Sequence, residues 1–171
     1  MKAAVLTVSD GVSAGARDDR SGDVLEELLA GAGFEVERRV VPDERDAIAT
    51  ALRDLARRAD IVLTTGGTGV APRDVTPEAT SDVLERLAPG IAEALRADSI
   101  SRTPHGLLSR GIAGLIGSTL VVNLPGSRGG CRDGFEVLRP ALGHAVELLR
   151  RGDERAVRDL IAAAQRTASP A

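Results

Sequence analysis

The chain reads as a three-layer α/β/α sandwich around a mostly parallel sheet, and three observations carry that reading. Short runs rich in Val, Ile and Leu, at residues 3–8, 34–41, 61–65 and 119–124, alternate with stretches whose apolar residues recur at helical spacing. Strands alternating with helices build parallel sheets covered on both faces. The 171 residues show no repeat and no domain-sized break in composition, which suits one core. Residues 1–150 are expected to form a single α/β domain, and residues 151–171 a charged, then Ala/Ser-rich tail that is partly helical.

Each element has its own signal. Residues 3–8 form a buried strand that ends at the Ser9-Asp10-Gly11 turn. After a polar loop, Ser21 is the expected N-cap of a helix with Val24, Leu25, Leu28, Leu29 and Ala32 on one stripe; Gly31 and Gly33 end it. Strand 34–41 follows. Pro42-Asp43-Glu44 then leads into a helix with Ile48, Ala51, Leu52 and Leu55 at i, i+3, i+4 and i+7. Strand 61–65 precedes a glycine-rich loop. Thr76-Pro77-Glu78 reads as a helix start, with Thr76 as N-cap and Pro77 first inside, and that helix is expected to reach Leu87. A second helix is expected over 89–99 and irregular chain over 100–110. A hairpin of 111–116 and 119–124 turns at Gly117-Ser118. The last helix begins after Gly130 and places Phe135, Leu138, Leu142, Val146 and Leu149 on one face.

Composition excludes several classes of function. Aromatic residues make up 1% of the chain, with no Trp or Tyr, so single-stranded nucleic acid cannot be held by base stacking. A net charge of −3 provides no basic field for nucleic acid or membrane. The single Cys131 cannot form an internal disulfide, and no Cys/His cluster has zinc spacing. The opening apolar run is too short for a signal sequence or membrane span, so a cytoplasmic protein is expected.

In an open parallel sheet, ligands sit at the carboxyl ends of the strands. Four polar loops fall there: Ser9-Asp10, Asp43, Gly66 to Asp74, and Asn123-Leu124-Pro125-Gly126-Ser127. The third is the most informative. Gly66, Gly67 and Gly69 allow close approach of a ligand to the backbone, and successive loop N–H groups can form an anion-binding concavity. The run lacks the Gly-Lys-Ser/Thr end of a Walker A loop, since Lys2 is the only lysine, and it lacks the Gly-x-Gly-x-x-Gly spacing of dinucleotide binders. Phosphate handling remains, and a carboxylate among phosphates makes sense when a metal ion accompanies them.

The residues 64–80 (Thr-Thr-Gly-Gly-Thr-Gly…Arg-Asp-Val-Thr-Pro-Glu-Ala-Thr), with Leu-Ser-Arg-Gly at 108–111, Gly-Ser-Thr-Leu at 117–120 and Asn-Leu-Pro-Gly-Ser at 123–127, resemble the MogA/MoaB family of molybdenum cofactor biosynthesis proteins. Leu-Thr-Val-Ser-Asp at 6–10 and Asp19-Arg20-Ser21-Gly22 also look like that family, so the resemblance spans residues 3 to about 150. It implies a molybdopterin-binding α/β fold and adenylylation of molybdopterin: the terminal phosphate of the pterin attacks the α-phosphorus of Mg-ATP and pyrophosphate leaves. It matches Asp43 and Asp74 to the two aspartates this chemistry needs, as holders of Mg²⁺, and Ser109 and Ser118 to pterin-side contacts. The family often has Pro-Lys after Asn-Leu-Pro-Gly-Ser; here Arg128-Gly129 stands instead, so the positive charge lies one place earlier. The resemblance further implies a trimer, with a hexamer as alternative, and hand-over of product to a molybdate-insertion protein.

Structural roles compete for several of these residues. Asp43 is placed to cap the helix that follows it, whereas Asp74 is harder to explain structurally because Thr76 already supplies a cap. Ser9 and Asp10 suit an Asx-type turn as well as a binding pair. Arg73 reads equally as a phosphate contact and as a solvated loop residue. Gly66, Gly67, Thr68, Gly69, Asn123, Pro125, Gly126, Ser127 and Arg128 complete the expected substrate-binding set, with Ser127 at a helix entry or anion cradle. His105 and His144 have no partners for a hydrolytic triad, and no nucleophile elbow is present. Three rival activities stay open: a non-catalytic molybdopterin carrier, molybdate insertion, and a nucleotide hydrolase that needs no pterin.

Overall fold

The computed structural model describes residues 1–167. In chain order these form β1 (Lys2–Val8), a short α1 (Asp10–Ser13), α2 (Arg20–Gly31), β2 (Glu35–Val41), α3 (Arg45–Ala56), β3 (Ile61–Thr65), α4 (Thr76–Ser81), β4 (Arg86–Leu87), α5 (Pro89–Arg102), a 3₁₀ turn (Pro104–Leu108), β5 (Ala113–Ile116), β6 (Thr119–Leu124) and α6 (Arg128–Thr167). One six-stranded sheet has the order β2-β1-β3-β6-β5-β4. Its first four strands are parallel, and β5 and β4 run antiparallel at one edge.

Side-chain alternation along the strands divides the core into two layers. Val5, Ile61, Leu63, Val122 and Leu124 face α2 and α6, where Leu25, Leu29, Phe135 and Leu142 meet them. Leu6, Val8, Val62 and Val121 face the opposite way, onto Ile48, Leu52 and Leu55 of α3 and Ala79 of α4. Branched aliphatic residues fill both layers, as the scarcity of aromatics requires. The three-layer sandwich is therefore as expected. Register brings the parallel strands level at their carboxyl ends: Val8 lies opposite Val41, Thr7 opposite Thr65, and Thr65 opposite Leu124.

Several boundaries differ from the sequence reading. The helix expected over 77–87 stops at Ser81, and Arg86–Leu87 pair with β5 instead. Glu85 N–H donates to the Leu115 carbonyl at 2.8 Å and Ala88 N–H to the Ala113 carbonyl at 2.9 Å, so the open edge of the hairpin overrides the apolar pattern. The N-cap of α2 is Asp19, not Ser21; its Oδ1 accepts from Gly22 N–H at 2.9 Å. Its Oδ2 accepts from Thr7 Oγ1 at 2.7 Å and from Arg38 at 2.6 Å, which ties α2 to β1 and β2. Thr76 does not cap α4, because its hydroxyl is used elsewhere, as described below. The backbone of α6 continues as one helix to Thr167, and residues 168–171 of the expected tail lie outside the described residues.

Candidate active site

The glycine-rich loop leaves β3 through a gap that admits no side chain. Gly66 has φ +100°, and a Cβ there would stand 2.2 Å from the Val8 carbonyl oxygen of β1. Gly67, at φ +63°, lies against the Thr76 hydroxyl. That hydroxyl donates to the Gly66 carbonyl at 2.9 Å, and Thr76 N–H donates to the Gly67 carbonyl at 3.0 Å. The exit of the loop is thus fastened to its entry. Among the described residues the N–H groups of Gly67, Thr68 and Gly69 have no protein acceptor, which leaves them available to an anion.

Three carboxylates gather around this loop. Asp10 and Asp43 exchange hydrogen bonds: Asp10 N–H donates to Asp43 Oδ2 at 2.7 Å, and Asp43 N–H donates to Asp10 Oδ1 at 3.0 Å. Asp43 therefore links the β1 and β2 loops and does not cap α3, whose flanking residue is Glu44. Arg73 grips Asp10 with Nε and a terminal nitrogen at 2.7 and 2.9 Å. That fork, with help from Asp43 N–H, holds the Asp10 carboxyl below its usual range. Arg73 is a clamp between loops and not an unengaged phosphate ligand. Asp74 Oδ2 accepts from Ala71 N–H at 2.9 Å. Asp43 Oδ1 and Asp74 Oδ1 accept no hydrogen bond among the described residues.

Beneath the loop lies a buried polar network centred on Asn123. Its Nδ2 donates to the hydroxyls of Thr64 and Thr80, both at 3.0 Å, and its Oδ1 accepts from Ile112 N–H at 3.2 Å. Thr80 passes the chain on, donating to the Thr76 carbonyl at 2.7 Å. Asn123 is 4% exposed and bonded through both ends of its amide, so it braces the loop from beneath while touching the floor of a cleft. Asn123→Ala would strip buried partners from two hydroxyls and one amide. We expect a loss of about 2–4 kcal/mol, read as a Tm drop on the order of 10 °C; an unchanged Tm would show that the network carries no stability. Beside it, Thr65 Oγ1 and Cys131 Sγ both donate to the Pro125 carbonyl, at 2.8 and 3.1 Å. Burial pushes the Cys131 thiol up to about 11, which makes it unreactive.

Two clefts flank the Pro125–Ser127 turn. One, of about 430 Å³, is lined by Ser9, Asp43, Gly66, Gly67, Asp74, Gly126 and Arg128 among others. The second, of about 410 Å³, is lined by Thr68, Gly69, Ser109, Asn123, Pro125 and Ser127, with His105 at its wall. Most of the expected residues are thus brought together, but in two adjoining compartments; Asp10 and Arg73 line neither and brace the loops beside Asp43. Ser127 also caps α6, accepting from Gly130 N–H at 3.1 Å. Ser118 lies apart from all of them. It sits in the β5–β6 turn, just before β6, where the next residue, Thr119, donates to the Ala56 and Ala59 carbonyls at and just beyond the end of α3. That is the opposite end of β6 from the clefts, and Ser118 lines neither of them.

Sequence reasoning missed Arg17 and Arg20, which line the aspartate cleft, and Arg110, which reaches into the glycine loop. The only signal for Arg110 is its place inside Leu-Ser-Arg-Gly, beside Ser109.

Comparison with known proteins gives the family and the fold. The model of a family described as a probable molybdopterin binding domain matches residues 4–144. The molybdenum cofactor synthesis protein cinnamon of Drosophila melanogaster is 42% identical over 88% of this chain, which spans 25% of that longer protein. The molybdopterin adenylyltransferase of Helicobacter pylori strain J99 is 39% identical, with 85% of each chain covered. The crystal structure of the molybdopterin biosynthesis enzyme MoaB from Thermus thermophilus superposes with a TM-score of 0.81 at 47% identity, covering 86% of this chain and 95% of that one.

Proposed function

The chain belongs to the MogA/MoaB family of molybdenum cofactor biosynthesis proteins, and we propose that it is a molybdopterin adenylyltransferase that uses ATP. One observation carries this reading: two clefts share the glycine loop, and only one of them holds the paired aspartates. Two substrates that must meet at a phosphate need such an arrangement. The cleft of Ser109, Thr68 and Pro125 takes the pterin, and the cleft of Asp43, Asp74 and Arg128 takes the triphosphate. Catalysis here rests on alignment and charge compensation.

The residues suit a Mg²⁺ ion. Each aspartate has one oxygen committed to a backbone N–H and the other uncommitted, and Mg²⁺ takes one or two carboxylates together with phosphate oxygens. Asp43 and Asp74 would hold the ion, which would compensate the negative charge of the triphosphate. The loop N–H groups of Gly67 to Gly69 hold phosphate oxygens, and Arg128 faces the same space. A phosphate oxygen of molybdopterin bonds to the α-phosphorus of ATP, the bond from that phosphorus to the bridging oxygen breaks, and pyrophosphate leaves with the electron pair. The nucleophile is a phosphate monoester already ionised near neutral pH, so the aspartate cleft needs no histidine base.

Mass spectrometry after incubation with ATP, Mg²⁺ and molybdopterin should find the adenylylated pterin; recovery of unmodified molybdopterin would refute the proposal. Arg128→Ala should weaken Mg-ATP binding more than turnover. Losing a charged phosphate contact costs about 1.5–3 kcal/mol, or roughly tenfold to a hundredfold in affinity. Unchanged affinity would show that Arg128 faces solvent only.

Three wider features belong to the same proposal. Among the described residues no helix is long and apolar enough to cross a membrane, and action in the cytoplasm is in keeping with the free Cys131. Product passes to a molybdate-insertion protein, and the match within the much longer cinnamon protein is in keeping with that. The assembly is a trimer, with hexamer as alternative; a monomeric mass in light scattering would refute it.

A further inference from the structure

Arg110 stands between Ser109 and Gly111, both of which line the pterin cleft, and its side chain reaches across to the loop that carries Asp74, a residue of the aspartate cleft. Its Nε donates to the Gly69 carbonyl at 2.6 Å and a terminal nitrogen to the Asp74 carbonyl at 2.5 Å. The second terminal nitrogen meets Glu78 Oε1 at the start of α4, and its backbone N–H donates to the Thr68 carbonyl at 2.9 Å. Among the described residues, these four bonds are all the hydrogen bonds between segment 103–111 and segment 66–78. Glu78 Oε2 is buried without a partner, so among the described residues Arg110 is the only side chain that donates to that carboxylate. The other bonds of segment 103–111 stay within it or run to α5, among them Ser109 N–H to the Gly106 carbonyl and Arg96 to the Gly111 carbonyl at 2.8 Å.

We propose that Arg110 is a positioning residue that couples the two clefts, so that molybdopterin and Mg-ATP bind cooperatively. The inference rests on the assignment of pterin and nucleotide to the clefts made above. A ligand against Ser109 and Gly111 fixes the Arg110 backbone. The guanidinium fork then fixes the Gly69 carbonyl and the peptide that carries Asp74. Ordering this loop has an entropic cost, and the first ligand bears it, so the second binds more tightly. Linkage makes the effect reciprocal: each substrate tightens the other by the same factor. A fork with three separate acceptors suits arginine and no other side chain.

The test is calorimetric titration of Mg²⁺ with α,β-methylene-ATP, which cannot turn over, in the absence and presence of saturating molybdopterin. In the wild type, molybdopterin should tighten nucleotide binding by about tenfold. In Arg110→Gln that factor should fall close to one while molybdopterin alone still binds. Arg110→Lys, which keeps the charge but reaches one acceptor at a time, should give an intermediate factor and serves if the glutamine variant unfolds. A tenfold factor retained in either variant would overturn the proposal. So would equal nucleotide affinity with and without molybdopterin in a wild type that binds both. A wild type that binds neither ligand would instead refute the assignment of the clefts, and the coupling with it.

Discussion

Asp74→Asn should lower the rate of adenylyl transfer at least a hundredfold while leaving molybdopterin binding and folding nearly unchanged. The fold survives because asparagine keeps a side-chain oxygen that can accept from Ala71 N–H, the one bond Asp74 Oδ2 makes within the loop. Substitution at such a loop carboxylate falls well below the cost of a core truncation. Pterin binding survives because Asp74 lines the aspartate cleft and not the one that contains Ser109. What disappears is the negative charge at Oδ1. Removing one electrostatic contact made to the transition state typically costs two to three orders of magnitude in rate. Raising Mg²⁺ should recover part of the loss if the carboxylate holds the ion, and none if it only shapes the turn. Transfer at the parent rate by a folded, pterin-binding variant would remove Asp74 from the mechanism.

Gly66→Ala should be the most damaging single substitution in the loop. A backbone at φ +100° costs a non-glycine residue about 1–3 kcal/mol. The new methyl would also stand 2.2 Å from the Val8 carbonyl, in a strand held between two neighbours in the sheet, so the obstacle cannot move aside. Overpacking of that kind adds about 1–3 kcal/mol, and together these consume much of the roughly 5–15 kcal/mol that stabilises an ordinary domain. Gly31→Ala is the control: it ends α2 with nothing within 4 Å of the added carbon, and alanine favours the helix. Urea unfolding should show a loss of about 2–6 kcal/mol for Gly66→Ala and none for Gly31→Ala. Equal midpoints for the two variants would contradict this account of the gap beside β1.

The layers of the fold were legible because both periodicities are strong. The run 61–65 is buried at every position, and the i, i+3, i+4, i+7 stripe of α3 falls on the core as read. What misled was local pattern without its partner. Val83, Leu84 and Leu87 continue a helical spacing, yet the unpaired edge of β5 recruits the backbone of Arg86 and Leu87. Thr76 has the chemistry of a cap, but the Gly66 carbonyl, ten residues earlier, claims its hydroxyl. In the site, residue type and loop position were enough to find the aspartates and the glycines. They could not show which of these residues also brace the mouth from within the protein. Asn123 and Arg73 spend their hydrogen-bonding capacity on other parts of the protein, through contacts that join residues 43 and 63 positions apart. Arg110 was overlooked for the same reason: all four of its partners lie more than thirty residues away in sequence.

The central claim is that nucleotide is consumed in a reaction that requires the pterin, and release of pyrophosphate from Mg-ATP with and without molybdopterin tests it most directly. Adenylyl transfer predicts pyrophosphate in stoichiometric amount with adenylylated pterin, and only background when molybdopterin is omitted. Equal release in its absence would identify a nucleotide hydrolase, and no release with molybdopterin bound would identify a carrier; either result would contradict the mechanism built on Asp43 and Asp74.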